Sequence, residues 1–103
     1  MDHFNKLTSA EAERLDLLAE ECAEVIQAVS KIKRHGYQSR HPNGGPTNQE
    51  SLEKELGHVR LSIWLMTQSG DLRVTAIDVA SWEKQASIQQ WLHHNIVPSK
   101  GVE

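Results

Sequence analysis

Two helix-start signatures of one form, Thr8-Ser9-Ala10-Glu11 and Thr47-Asn48-Gln49-Glu50, constrain what this chain can fold into more than any other feature. In each, the threonine hydroxyl can accept from a backbone N–H that a helix start leaves unpaired, and the glutamate can reach back to the threonine N–H. Behind the first, Leu15, Leu18, Cys22, Val25, Val29 and Ile32 recur at spacings of three and four, which predicts a helix over 9–34 with that stripe in the core. Gly36 is placed to end it, and Cys22 reads as a small buried hydrophobe on the stripe. Behind the second, Leu52, Leu56, Val59, Ile63 and Met66 predict a helix as far as Gln68, closed by Ser69-Gly70.

A third helix is predicted over 74–94, with Ile77, Ala80, Ile88, Trp91 and Leu92 on one side and Lys84 on that same inward side. No segment alternates with the period of a strand, and no repeat or low-complexity tract interrupts the pattern. The expected fold class is therefore all-α, an antiparallel helical bundle forming one domain over 1–103, with its core from Thr8 to His94 and a frayed tail at 98–103. A chain of 103 residues buries a modest share of its surface, and Trp64, Trp82 and Trp91 need shelter in a core or between subunits. Completion of the bundle by oligomerisation is expected. The single cysteine has no internal disulfide partner, no run approaches the roughly 20 apolar residues that span a bilayer, and no signal peptide opens the sequence. These features lead to the expectation of a soluble cytoplasmic protein without a membrane partner.

The net charge of −3 argues against a protein built to grip nucleic acid, but it averages over a sharp division. Glu11 to Glu24 contains six acids and one Arg, whereas Lys31 to Arg40 contains four bases and no acid. Residues 35–49 hold three Gly, two Pro and two Asn with almost no aliphatic residue, which predicts a loop, and loops of this length in small domains are uncommon unless they bind something or are disordered. Lys31, Lys33, Arg34, His35, Arg40 and His41 cluster there. Cations at a helix C-terminus are favoured by the macrodipole, and a role in holding a polyphosphate competes evenly with that reading.

On a helical wheel, Glu20, Glu21 and Glu24 share one arc beside the apolar stripe, together with Leu17 and Ala28, so the acids border a groove. Glu20 and Glu24 are a like-charge i, i+4 pair, a cost of about 0.2–0.5 kcal/mol in an isolated helix that a cation would relieve. On the second helix Glu55 and His58 point together. Two helices each presenting such a pair make an oxygen-rich cage suited to Mg²⁺ or Mn²⁺. Charged helix faces are also ordinarily solvated, and both readings stand at this point.

The order Glu20-Glu21-x-x-Glu24, followed after the loop by Glu55-Leu56-Gly57-His58-Val59, resembles the MazG-like family of all-α nucleoside triphosphate pyrophosphohydrolases. The surrounding frame, including Leu18-Ala19, Arg34-His35-Gly36, Thr47-Asn48, Asp71-Leu72 and Trp91-Leu92-His93-His94, is similar to small phage-type members. The resemblance implies cleavage of a nucleoside triphosphate, such as the purine deoxynucleotides dGTP or dATP, to monophosphate and pyrophosphate. It implies Mg²⁺ or Mn²⁺ as cofactor, with Glu21, Glu24, Glu55 and His58 as ligands and Glu20 holding or activating the attacking water. Lys31, Arg34, Asn48 and Lys84 become substrate contacts, 35–49 an active-site loop, and the assembly a homodimer or homotetramer, in the cytoplasm of a phage-infected host.

His58 stands where the family has Asp, and 30 residues, a long interval for the family, separate Glu24 from Glu55. A neutral imidazole suits Mn²⁺ better than Mg²⁺, and an imidazolium repels a metal. Three outcomes stay open: a site with shifted metal preference, a weaker three-carboxylate site, or a catalytically impaired helical oligomer that binds nucleotide or a partner protein.

Overall fold

The computed structural model describes residues 4–94, so the expected tail at 98–103 lies outside the described residues. The described residues are helical, with no named strand, in agreement with the all-α expectation. The chain divides into two compact units, Met1–Asp71 and Leu72–Glu103.

The first unit is a helical hairpin of α1 (Ser9–His35) and α2 (Asn48–Gln68). Both helices start on a full capping box. Thr8 Oγ1 accepts from the Glu11 N–H at 3.1 Å while Glu11 Oε1 accepts from the Thr8 N–H at 2.8 Å, and Thr47 and Glu50 repeat the arrangement at 3.1 and 2.8 Å. At the far end of α1 the Gly36 N–H donates to the Ile32 carbonyl, and the φ of 89° there is one that a side chain would strain. The exit of α2 is a Schellman turn, with the Gly70 N–H donating to Thr67 O, the Asp71 N–H to Met66 O, and Gly70 at φ 84°.

That turn carries Asp71 back beside the start of α1. Its carboxylate accepts two hydrogen bonds from the Arg14 guanidinium, at 2.6 and 3.0 Å, across 57 residues of sequence. The pair pins the open ends of the hairpin, and the loop joins the other ends. The loop is ordered by an antiparallel bridge between Arg40 and Thr47, by the Asn48 N–H donating to Ser39 O, and by the Gln49 N–H donating to Tyr37 O.

The face that α1 buries is turned by about a quarter of a revolution from the expected stripe. Ala28 is buried, and Leu17, Leu18, Glu21, Glu24, Val25 and Ile32 are half-buried, whereas Leu15, Cys22 and Val29 are exposed. Cys22 is thus not the buried hydrophobe expected. On α2, Ser62 and Met66 are buried and Leu52, Glu55, Val59 and Ile63 half-buried, while Leu56, Leu61 and Trp64 are exposed. A two-helix unit has one contact line, and both helices carry more apolar residues than one line can cover.

The second unit contains α3 (Val74–Ser87) and a 3₁₀ turn, Ile88–Gln90. The third helix therefore stops seven residues before the expected His94. The Ser87 hydroxyl donates to Lys84 O, and beyond it both the Trp91 and Leu92 N–H groups turn to Ile88 O, so the ladder tightens instead of continuing. No residue of α3 is buried; Lys84, expected inward, is exposed, and Trp82 and Trp91 are exposed like Trp64.

Replacing Gly70 by Ala places a side chain in a left-handed conformation, and stability in a denaturant titration is expected to fall by about 1–2 kcal/mol. The Arg14 guanidinium holds the Asp71 carboxyl below its ordinary range. The unfolded chain consequently binds the proton first, so this stabilisation is complete above the ordinary aspartate pKa and drains away as pH falls through the depressed folded value. Asp71→Asn is expected to lower the melting temperature at neutral pH and to leave a smaller difference from the wild type in acid; equal losses at both pH values would refute this.

Candidate metal centre

Helical spacing places Glu20, Glu21 and Glu24 on adjoining positions of α1, and the hairpin brings Glu55 and His58 of α2 against them. Glu21 and Glu55 keep only 12% and 13% of their side-chain surface exposed, whereas His58 keeps 48%. The quarter-turn shift of α1 explains this: the arc that borders the apolar stripe on the wheel is the arc that meets α2. His58 Nδ1 lies 3.2 Å from Glu21 Oε2 and 3.1 Å from Glu55 Oε1, astride the two helices.

Those same two oxygens are buried and have no hydrogen-bond donor. A buried acceptor without a donor costs about 1–3 kcal/mol or more when charged. His58 Nδ1 stands within ion-pair distance of both oxygens but makes a hydrogen bond to neither. Ser62, one turn beyond His58, is a third buried group without a partner.

The ligand atoms fall into two sets that share Glu21. Glu21, Glu55 and His58 form one, Glu20, Glu21 and Glu24 the other, and within each set the atoms lie within 4.8 Å of one another. Glu24 registers the crowding: the charge of Glu55 first, then that of Glu21, then burial, raise its carboxyl above the ordinary glutamate range. Carboxylates this close, two of them with buried oxygens lacking donors, are a donor set that a divalent cation fits, with the carboxylates suited to Mg²⁺ and the imidazole nitrogen to Mn²⁺. The four expected ligands are therefore divided: Glu21 meets Glu55 and His58 in one set, whereas Glu24 is grouped with Glu21 and the exposed Glu20 in the other.

The expected substrate contacts separate. Lys31, Arg34 and Asn48 line one cavity of about 370 Å³ at the loop end of the hairpin, together with His35, Arg40 and His41. Lys84 belongs to the second unit. The pattern of residues carried no sign of the Arg14–Asp71 clamp, because it is not a local motif.

Glu24→Gln removes one of the crowded charges. The metal-free protein carrying it is expected to melt above the wild type at neutral pH, where a carboxyl of raised pKa destabilises the fold most, with the gap closing in acid. A lower melting temperature in EDTA would show that the carboxylates are not in conflict. Compared with protein-family models, with curated proteins and with solved structures, the chain matches none.

Proposed function

We propose that this chain is a metal-dependent pyrophosphohydrolase of nucleoside triphosphates, of the MazG-like kind, acting on a purine deoxynucleotide such as dGTP or dATP. The observation that carries the reading is the meeting of Glu21 with Glu55 and His58 across two helices, with Glu20 and Glu24 grouped around the same Glu21 and two carboxylate oxygens buried and lacking donors. Water attacks the α-phosphorus, the bond to the bridging oxygen of the β-phosphate breaks, and nucleoside monophosphate and pyrophosphate leave. Glu21, with Glu24, Glu55 and His58 around it, would hold Mg²⁺ or Mn²⁺, which would supply positive charge against the negative charge that develops on the phosphates. Glu20, exposed beside the cluster, orients the attacking water and accepts its proton. Lys31, Arg34 and Asn48 contact the substrate from the loop end.

The exposed apolar residues of the hairpin, Ile26 and Leu56, Leu61 and Trp64 among them, support assembly into a homodimer or homotetramer in the cytoplasm. A second reading is supported by His58 itself. Its Nδ1 lies 3.2 and 3.1 Å from Glu21 and Glu55, so a protonated ring offsets the charge that a cation would otherwise offset, and the protein is then a nucleotide- or partner-binding oligomer without turnover.

Pyrophosphate release from a panel of deoxynucleoside triphosphates, with Mg²⁺ and Mn²⁺ in parallel, separates the two. The enzyme reading expects turnover that Glu21→Ala lowers by about 100-fold or more, and a gain in the Mg²⁺-dependent rate in His58→Asp. Nucleotide binding with no pyrophosphate released under either metal favours the second reading.

A further inference from the structure

The basic cavity lies on the same helix as the carboxylates but away from them. Lys31 is seven residues beyond Glu24 and Arg34 ten, so at the rise of an α-helix they stand about 10 and 15 Å further along the axis. The cavity lining and the two carboxylate sets have no residue in common. A phosphate seated beside Arg34 and Arg40 is therefore not the phosphate that adjoins Glu21.

We propose that the cavity at the loop end of the hairpin is a second, metal-independent phosphate site, taking the terminal phosphate of a polyphosphate or phosphate ester. Three lines of structure support it. The lining contains the cations Lys31, Arg34 and Arg40 and the imidazoles of His35 and His41, with no carboxylate among them. Among the described residues, Lys31, Arg34 and His35 form no side-chain hydrogen bond or ion pair, so their donors are uncommitted. His41 Nδ1 accepts from the Asn43 N–H at 3.1 Å, which leaves the proton of a neutral ring on Nε2 as a donor.

Compensation of the α1 dipole accounts for cations in the last turn but not for Arg40. Arg40 arrives from the returning arm of the loop, held by its bridge to Thr47 and by its own guanidinium donating to Gly45 O at 3.2 Å. Glu50, the nearby carboxylate that feels the charge of Arg40, is already engaged by the Thr47 N–H and hydroxyl. The two hydrogen bonds at the helix end, from the Gly36 N–H to Ile32 O and from the Asn48 amide to Gly36 O, use none of these cations. Guanidinium groups converging from two directions suit the three acceptor oxygens of a phosphate.

The site rests on the enzyme reading only for the source of its phosphate, which is either a free anion or a phosphate of the nucleotide remote from the one cleaved. The test titrates inorganic pyrophosphate into the full chain in EDTA by calorimetry. One saturable site per chain is expected, weakened at least tenfold in Arg34→Gln and in Arg40→Gln. It should be unchanged in Glu24→Gln and in Lys33→Gln, a cation of the same helix end that does not line the cavity. Absence of saturable binding, or equal weakening by Lys33→Gln, overturns the proposal; circular dichroism confirms that each variant is folded. With Mn²⁺ present, a nucleoside triphosphate bearing a 3′-phosphate that binds tenfold tighter than its 3′-hydroxyl counterpart, a gain Arg34→Gln erases, makes the nucleotide the source; equal binding beside retained pyrophosphate binding makes it the free anion. Pyrophosphate binding in a chain without turnover leaves the cavity and removes the enzyme, whereas turnover without metal-free binding does the reverse.

Discussion

Repulsion among carboxylates inside a helix–helix contact is the constraint around which the hairpin is arranged. Glu21, Glu24 and Glu55 occupy positions where a two-helix unit would normally place Leu or Val, and Glu24 is pushed toward protonation by its neighbours. Helices carrying such a cluster separate unless held elsewhere. The Arg14–Asp71 pair supplies a bidentate hold at one end, and the bridged loop supplies a covalent and hydrogen-bonded hold at the other. Between them Ala28 and Met66 contribute the buried apolar contacts.

His58 lies where these opposing demands meet. Half exposed, it sets one nitrogen within ion-pair distance of a carboxylate on each helix. An aspartate there would add another negative charge to the contact. His58 is in this sense more compatible with a stable metal-free hairpin than a fourth acid at that position would be.

Much of this was legible in the sequence wherever the signal was local. Thr8 and Thr47 each mark a helix start through residues three apart, Gly36 and Ser69-Gly70 mark the ends, and the all-α class followed. That Glu20, Glu21 and Glu24 adjoin on α1, and Glu55 and His58 on α2, was legible too, because residues one turn apart share a face. Orientation was not. Apolar periodicity located an apolar side of α1 through Leu15, Cys22 and Val29, yet α2 packs against the neighbouring arc with Glu21 at its centre, since a helix with two apolar-rich arcs does not state which one its own chain will cover. The Arg14–Asp71 clamp joins positions 57 apart and leaves no periodic trace. The early end of α3 coincides with the Ser87 hydroxyl sharing the Lys84 carbonyl with the Ile88 N–H, a bond that Ser makes in some helices and not in others.

A single unbroken helix carries both the acidic positions and the cations at the loop end, and that continuity makes α1 a ruler as well as a wall. Each residue between Glu24 and Lys31 contributes about 1.5 Å of separation and about 100° of phase. Adding or deleting one there would swing the cationic end to a different side of the hairpin while leaving every charged side chain intact. The six residues of that interval, Val25 to Ser30, are therefore bound by their number more tightly than by their chemistry, and evolutionary drift there should exchange side chains freely at exposed Gln27 while tolerating no change of length.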